Sequence, residues 1–138
     1  MALTRMEHYL VLTDDIETTK DFYCQALGMH VGARPPLGFA GYWVYLDDVP
    51  CIHIAEWQSY TAHSQSLGIS VTTPAPGTGP LDHIAFTAVD YPAIRARLNA
   101  YGVAASENIV EAAQLTQVFL RDPNGIKIEI NVFTPKTH

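Results

Sequence analysis

The sequence predicts an α+β fold assembled from two copies of one small unit, and three observations carry that reading. The 138 residues, 48% hydrophobic and 16% charged, suffice for one globular domain with a buried core. Glu7-His8 and the β-prone run after it reappear as Asp82-His83 with a similar run, an offset of 75 that also matches Asp15 with Asp90. The copies also end alike: Val44-Tyr45-Leu46 lies over Val118-Phe119-Leu120 at an offset of 74, and the strand around His53 lies over the one around Glu129 at 76. Short loop insertions shift an offset in this way, so each unit has about 65 residues.

Residues 6–12 read as a strand. From Ile16 to Leu27 the residues Ile16, Thr19, Phe22, Tyr23 and Ala26 recur at helical spacing, with Asp14 or Asp15 to cap the helix and Gly28 to end it. Strands are expected near 29–33, 41–47 and 51–57, the last two joined by the turn-prone Asp47-Asp48-Val49-Pro50. No element is assigned between 58 and 69. Residues 70–80 carry three Pro and two Gly without periodicity, and read as the linker between a first module at 1–69 and a second at 81–138, or as a loop over a site. The second copy repeats the pattern with a strand at 82–88 and a helix from Tyr91 to Tyr101 that ends at Gly102. Pro92 falls in its first turn, where a missing N–H costs nothing. Strands near 103–107, 115–121 and 126–132 complete it.

Eight Lys and Arg against fourteen Asp and Glu give −6 with no basic stretch, which argues against a nucleic-acid partner. No apolar run reaches the roughly 18 residues of a membrane span, and the first residues have no signal-peptide apolar region, so a cytoplasmic location is expected. Cys24 and Cys51 are too few for a disulfide framework and read as small buried hydrophobes.

Strand alternation singles out the chemistry. His53 faces opposite to Ile52, Ile54 and Glu56, and Glu129 faces opposite to Ile126, Ile128 and Ile130. The isoleucines seek the layer under the helices, which leaves His53 and Glu129 on the other sheet face. If the copies pack as pseudo-symmetric halves of a curved sheet, His8, His53, His83 and Glu129 converge, one ligand from the first and one from the last strand of each copy. Any one of these alone reads as an ordinary strand residue. Three imidazoles and a carboxylate at repeat-equivalent positions instead suit one divalent ion, Zn, Ni, Co, Mn or Fe. His30 and His63 have no repeat partner and read as surface residues, and His138 as a disordered terminal one.

At these residues the chain resembles the vicinal oxygen chelate superfamily, the group of glyoxalase I, methylmalonyl-CoA epimerase, fosfomycin-resistance enzymes, extradiol dioxygenases and bleomycin-resistance proteins. The marks span nearly the whole chain: the His8 strand, DFYCQALGM at 21–29, Asp82-His83, and FLRDPNGIKIEI, whose DPNG turn at Asp122 to Gly125 leads into the Glu129 strand. The resemblance implies a single domain of two tandem βαβββ modules that form a cupped mixed sheet around one divalent metal, usually in a homodimer. It implies Lewis-acid catalysis on a small-molecule substrate chelated through two oxygens.

Departures from the family pattern narrow the activity. Glyoxalase I grips glutathione with an Arg and an Asn four residues after its first two ligands, where this chain has Leu12 and Trp57, and its second ligand is a Glu where this chain has His53. Extradiol dioxygenases carry a Tyr ten residues before the ligand Glu, where this chain has Phe119. A cationic pocket for a phosphonate would rest on Arg34, Arg121 and Lys127 alone.

An aromatic rim of Phe39, Tyr42, Trp43, Tyr45, Trp57, Tyr60 and Phe119 suggests an apolar or aromatic substrate. Of these, Tyr45, Trp57 and Phe119 are the expected contacts, Tyr45 and Phe119 as repeat equivalents. Glu56 has the wrong strand parity for a ligand. The expected function is therefore an isomerase or lyase in which Glu129 doubles as general base. The alternatives are an Fe(II) extradiol-type dioxygenase using His8, His83 and Glu129 with His53 off the metal, and a metal-free protein that sequesters a drug or other ligand.

Overall fold

The computed structural model describes residues 2–134, and His138 lies outside them. The first unit runs β1 (Tyr9–Thr13), α1 (Ile16–Asp21), β2 (His30–Gly32), β3 (Gly41–Leu46), β4 (Val49–Glu56) and α2 (Trp57–Ser66). The second runs β5 (Ile84–Ala88), α3 (Tyr91–Tyr101), β6 (Ser106–Val110), β7 (Leu115–Arg121) and β8 (Lys127–Phe133). Each unit has its own four-stranded mixed sheet, ordered β1-β4-β3-β2 and β5-β8-β7-β6. In both, the first strand runs parallel to the last and the other pairs are antiparallel. The repeat is thus one topology used twice, the α+β arrangement expected of two βαβββ modules. Apart from Gln25–Leu27, which group with the second compact unit, the boundary between the units falls at residues 74 and 75, inside the Pro-rich stretch.

Alternation along each strand decides which face is buried. In the first unit Val11, Val44, Ile52 and Ile54 share one face, are 0–2% exposed, and lie on the side covered by α1. In the second, Val118, Leu120, Ile128, Ile130 and Val132 are the buried set of β7 and β8. Each buried aliphatic side chain contributes about 1.5–3 kcal/mol. Asp15 caps α1 by accepting from Thr18 N–H at 2.9 Å, and Asp90 caps α3 through Ala93 N–H at 3.1 Å. Gly102 ends α3 at φ +78°, a left-handed conformation that a Cβ would disfavour.

Four expectations are revised. The helix foreseen from Ile16 to Leu27 is α-helical only to Asp21 and continues as a π-helical turn, Phe22–Ala26. In that wider turn the consecutive Phe22 and Tyr23 are both buried, their rings edge to face at 5.3 Å. The first strand starts at Tyr9 and not at residue 6, and β6 starts at Ser106 and not at 103. The unassigned stretch holds α2, because the Glu56 carboxylate accepts from Ser59 N–H at 3.1 Å and turns the chain out of β4 into a helix. Among the described residues no helix is long and apolar enough to cross a membrane.

Candidate metal and ligand site

In the first unit, β4 carries His53 on the face opposite Ile52 and Ile54, between Leu10 of β1 and Trp43 of β3. His8, one residue ahead of β1, stacks on His53 with ring centroids 3.6 Å apart and planes 13° apart. Trp43 stacks on the other side at 4.1 Å and 9°. Sandwiched in this way, His53 is 9% exposed, and its Nε2 is buried with no hydrogen-bond partner among the described residues. Burial, and then the nearby His8, hold this imidazole below its ordinary pKa, which favours its neutral form. The Nδ1 of His8 lies 2.9 Å from the Glu7 carboxylate.

The second unit repeats the device. His83, just ahead of β5, has its Nδ1 2.7 Å from Asp82, which also accepts from the Lys127 ammonium at 3.0 Å. These two donors hold the Asp82 carboxyl below the usual carboxylate range. The His83 Nε2 lies 3.9 Å from an oxygen of Glu129, on β8. Glu129 accepts from Gln117 Nε2 at 3.1 Å on one oxygen and from Asn131 Nδ2 at 2.9 Å on the other. Phe119 of β7 stands opposite Glu129 in register, with the Lys127 ammonium 5.8 Å over its ring.

The four expected ligands thus stand as two pairs, His8 with His53 and His83 with Glu129. Among the described residues no group of three or more His, Cys, Asp or Glu is assembled to hold a metal. The donor chemistry nonetheless fits a divalent ion. A carboxylate on Nδ1 orients an imidazole and fixes the tautomer whose Nε2 can ligate, and both His8 and His83 have one.

The expected substrate contacts have different neighbours. Tyr45 stacks on His30 at 5.7 Å and donates to the Ala33 carbonyl at 2.5 Å, so His30 has a ring partner although the repeat supplies none. Trp57 opens α2 and is not part of the β4 strand. It lines a cleft of about 740 Å³ with Asp14, Thr61, Ile69 and Val71. Glu56 serves as the α2 cap. His63 packs against Phe39 at 5.4 Å. The register also corrects the pairing of Tyr45 with Phe119: Phe119 faces Glu129 as Trp43 faces His53, an offset of 76, so Trp43 is the structural equivalent. Gln117 and Asn131 were not foreseen. Asn131 could have been found from its place two residues beyond Glu129 on the same face, but Gln117 becomes a neighbour only through the β7–β8 register.

Comparison with known proteins agrees with this architecture. The family model described as Glyoxalase/Bleomycin resistance protein/Dioxygenase superfamily matches residues 5–130. No curated protein matches the sequence. A glyoxylase/bleomycin resistance protein/dioxygenase domain from Frankia sp. EAN1pec superposes with a TM-score of 0.72 at 17% identity, covering 99% of this chain and 97% of that one. An antibiotic-binding protein from Streptomyces sp. CB03234 gives 0.65 at 22% identity, with 97% and 99% covered. Lactoylglutathione lyase from Agrobacterium tumefaciens gives 0.62 at 15%, with 96% of each covered. At these identities the likeness is one of fold, and the match of the family model over nearly the whole chain places the protein in the glyoxalase/bleomycin resistance protein/dioxygenase superfamily.

Proposed function

We propose that this chain is a divalent-metal-dependent enzyme acting on a small oxygenated molecule, apolar or aromatic, bound through two neighbouring oxygens, with isomerase or lyase chemistry. The observation that carries this reading is the orientation of the imidazoles. Glu7 and Asp82 each occupy Nδ1 of the histidine that follows, and the buried Nε2 of His53 has no hydrogen-bond partner among the described residues. His8, His53, His83 and Glu129 would hold the ion, two from each unit, within one chain or across a homodimer. A bound divalent ion supplies Lewis-acid polarisation of the two substrate oxygens. Glu129, ligand and general base in this reading, takes up the substrate proton on a carboxylate oxygen. Tyr45, Phe119 and Trp57 supply apolar contact to substrate, and the protein works in the cytoplasm.

The test is elemental mass spectrometry on protein purified without chelators, wild type beside His53→Ala. Near one divalent ion per chain, lowered by His53→Ala, is the expected result. One iron per chain, indifferent to His53→Ala, would replace this reading with an extradiol-type dioxygenase on His8, His83 and Glu129. No metal in either protein under any loading condition overturns both.

One observation favours a second reading. His8 and Trp43, the outer rings of the stack on His53, are planar aromatic groups of the kind that bind a planar ligand, and a similar fold serves an antibiotic-binding protein. Metal-free protein that quenches its tryptophan fluorescence on binding a planar drug would support sequestration over catalysis.

A further inference from the structure

Glu129 and His53 occupy corresponding places in the two sheets, yet their neighbours differ in kind. At an offset of 76 the surroundings of His53 are Gly41, Cys51 and Ala55, and those of Glu129 are Gln117, Lys127 and Asn131. Gly41 admits no side chain, because a Cβ there would come 2.0 Å from the Ile54 carbonyl. The first unit therefore presents no amide to its imidazole. The second places Gln117 and Asn131 side by side as register partners, each donating to a different oxygen of Glu129.

The amides are themselves oriented. Asn108 of β6 donates to Gln117 Oε1 at 2.9 Å, which turns the Gln117 NH₂ toward Glu129. The Asn131 oxygen accepts from the same NH₂ at 3.4 Å, which turns its own NH₂ the same way. Every member of the row Asn108–Gln117–Asn131 thus has one orientation that satisfies its neighbours, and the carboxylate is gripped at both oxygens. Glu129 keeps further lone pairs, and one of its oxygens lies 3.9 Å from His83 Nε2.

Resting on the metal-enzyme reading above, we propose that Gln117 and Asn131 are positioning residues that clamp the Glu129 carboxylate and present one of its oxygens, beside His83 Nε2, to a divalent cation. A side chain this long otherwise samples several rotamers, and binding an ion would then cost the entropy of selecting one. The clamp meets that cost during folding.

Cobalt(II) titration of the full chain, followed by calorimetry and by the visible absorption of the bound ion, tests this with Gln117→Met, Asn131→Leu and Asn108→Ala. The expected result is affinity about 10–100-fold weaker for each of the first two, with an altered cobalt spectrum. Asn108→Ala should move both in the same direction by less. Asn108 is exposed, so this variant keeps the test open if either of the others fails to fold. Unchanged affinity and spectrum in folded variants, with wild type binding cobalt, overturn the clamp and leave the metal-enzyme reading standing. A wild type that binds neither cobalt nor zinc, nickel, manganese or iron overturns that reading, and the clamp with it.

Discussion

Cys24 and Cys51 are half-buried in the first unit, and burial pushes both thiols above their ordinary pKa. The nucleophile is the thiolate, and a raised pKa lowers the thiolate fraction at any neutral pH. Native protein at pH 7.5 should accordingly react slowly with iodoacetamide and take up two labels only in denaturant. Rapid native labelling, read by intact mass, would place these thiols in polar surroundings instead. The sequence read both as buried hydrophobes, and they are only partly buried; the acid–histidine dipeptide at Glu7-His8 and Asp82-His83 was legible. What the acid does was not legible, because whether a carboxylate reaches the Nδ1 of the next residue depends on two side-chain rotamers.

At the scale of elements, most boundaries follow local signals, and α2 is the exception. Its sequence, WQSYTAHSQS, has no apolar stripe and only Ser64 is buried, so periodicity gave no warning of it. A strand-derived carboxylate starts it: Glu56 ends β4 and accepts the Ser59 N–H. Replacing Glu56 by Ala should cost about 0.5–2 kcal/mol, the usual worth of a helix cap. The loss should appear as faster hydrogen exchange in the first turn of α2, and unchanged exchange at Ser59 would show the cap to be dispensable. The same helix takes Trp57 out of strand β4, while β3 supplies Trp43 to stack on His53.

For the whole molecule, a duplicated topology means that each unit needs a buried set of its own. Ile52 and Ile128, at the two corresponding strands, are both 0% exposed. Truncation of either to Ala should lower stability by about 2–5 kcal/mol in urea unfolding, the range for deleting core aliphatics. A loss below about 1 kcal/mol for one of them would mean that its unit relaxes around the deletion. The same duplication spreads the candidate ligands over both units, and it is why the metal stoichiometry of the intact chain, and not of a fragment, is the deciding measurement.

By itself the sequence determined the α+β class, the two-fold repeat, which face of each last strand is apolar, and the identity of His8, His53, His83 and Glu129 as the residues worth testing. The class and the apolar faces follow from alternation, caps and turn residues, the repeat from self-similarity at offsets of 74 to 76, and the four ligand candidates from that repeat together with the family resemblance. Only the tertiary structure decided that Trp43 and not Tyr45 stacks on His53, that Trp57 belongs to a helix, and that Gln117 and Asn131 grip Glu129. Each of those depends on strand register or on where a strand gives way to a helix, and a shift of two residues in pairing keeps every side chain on its face while changing every neighbour it meets.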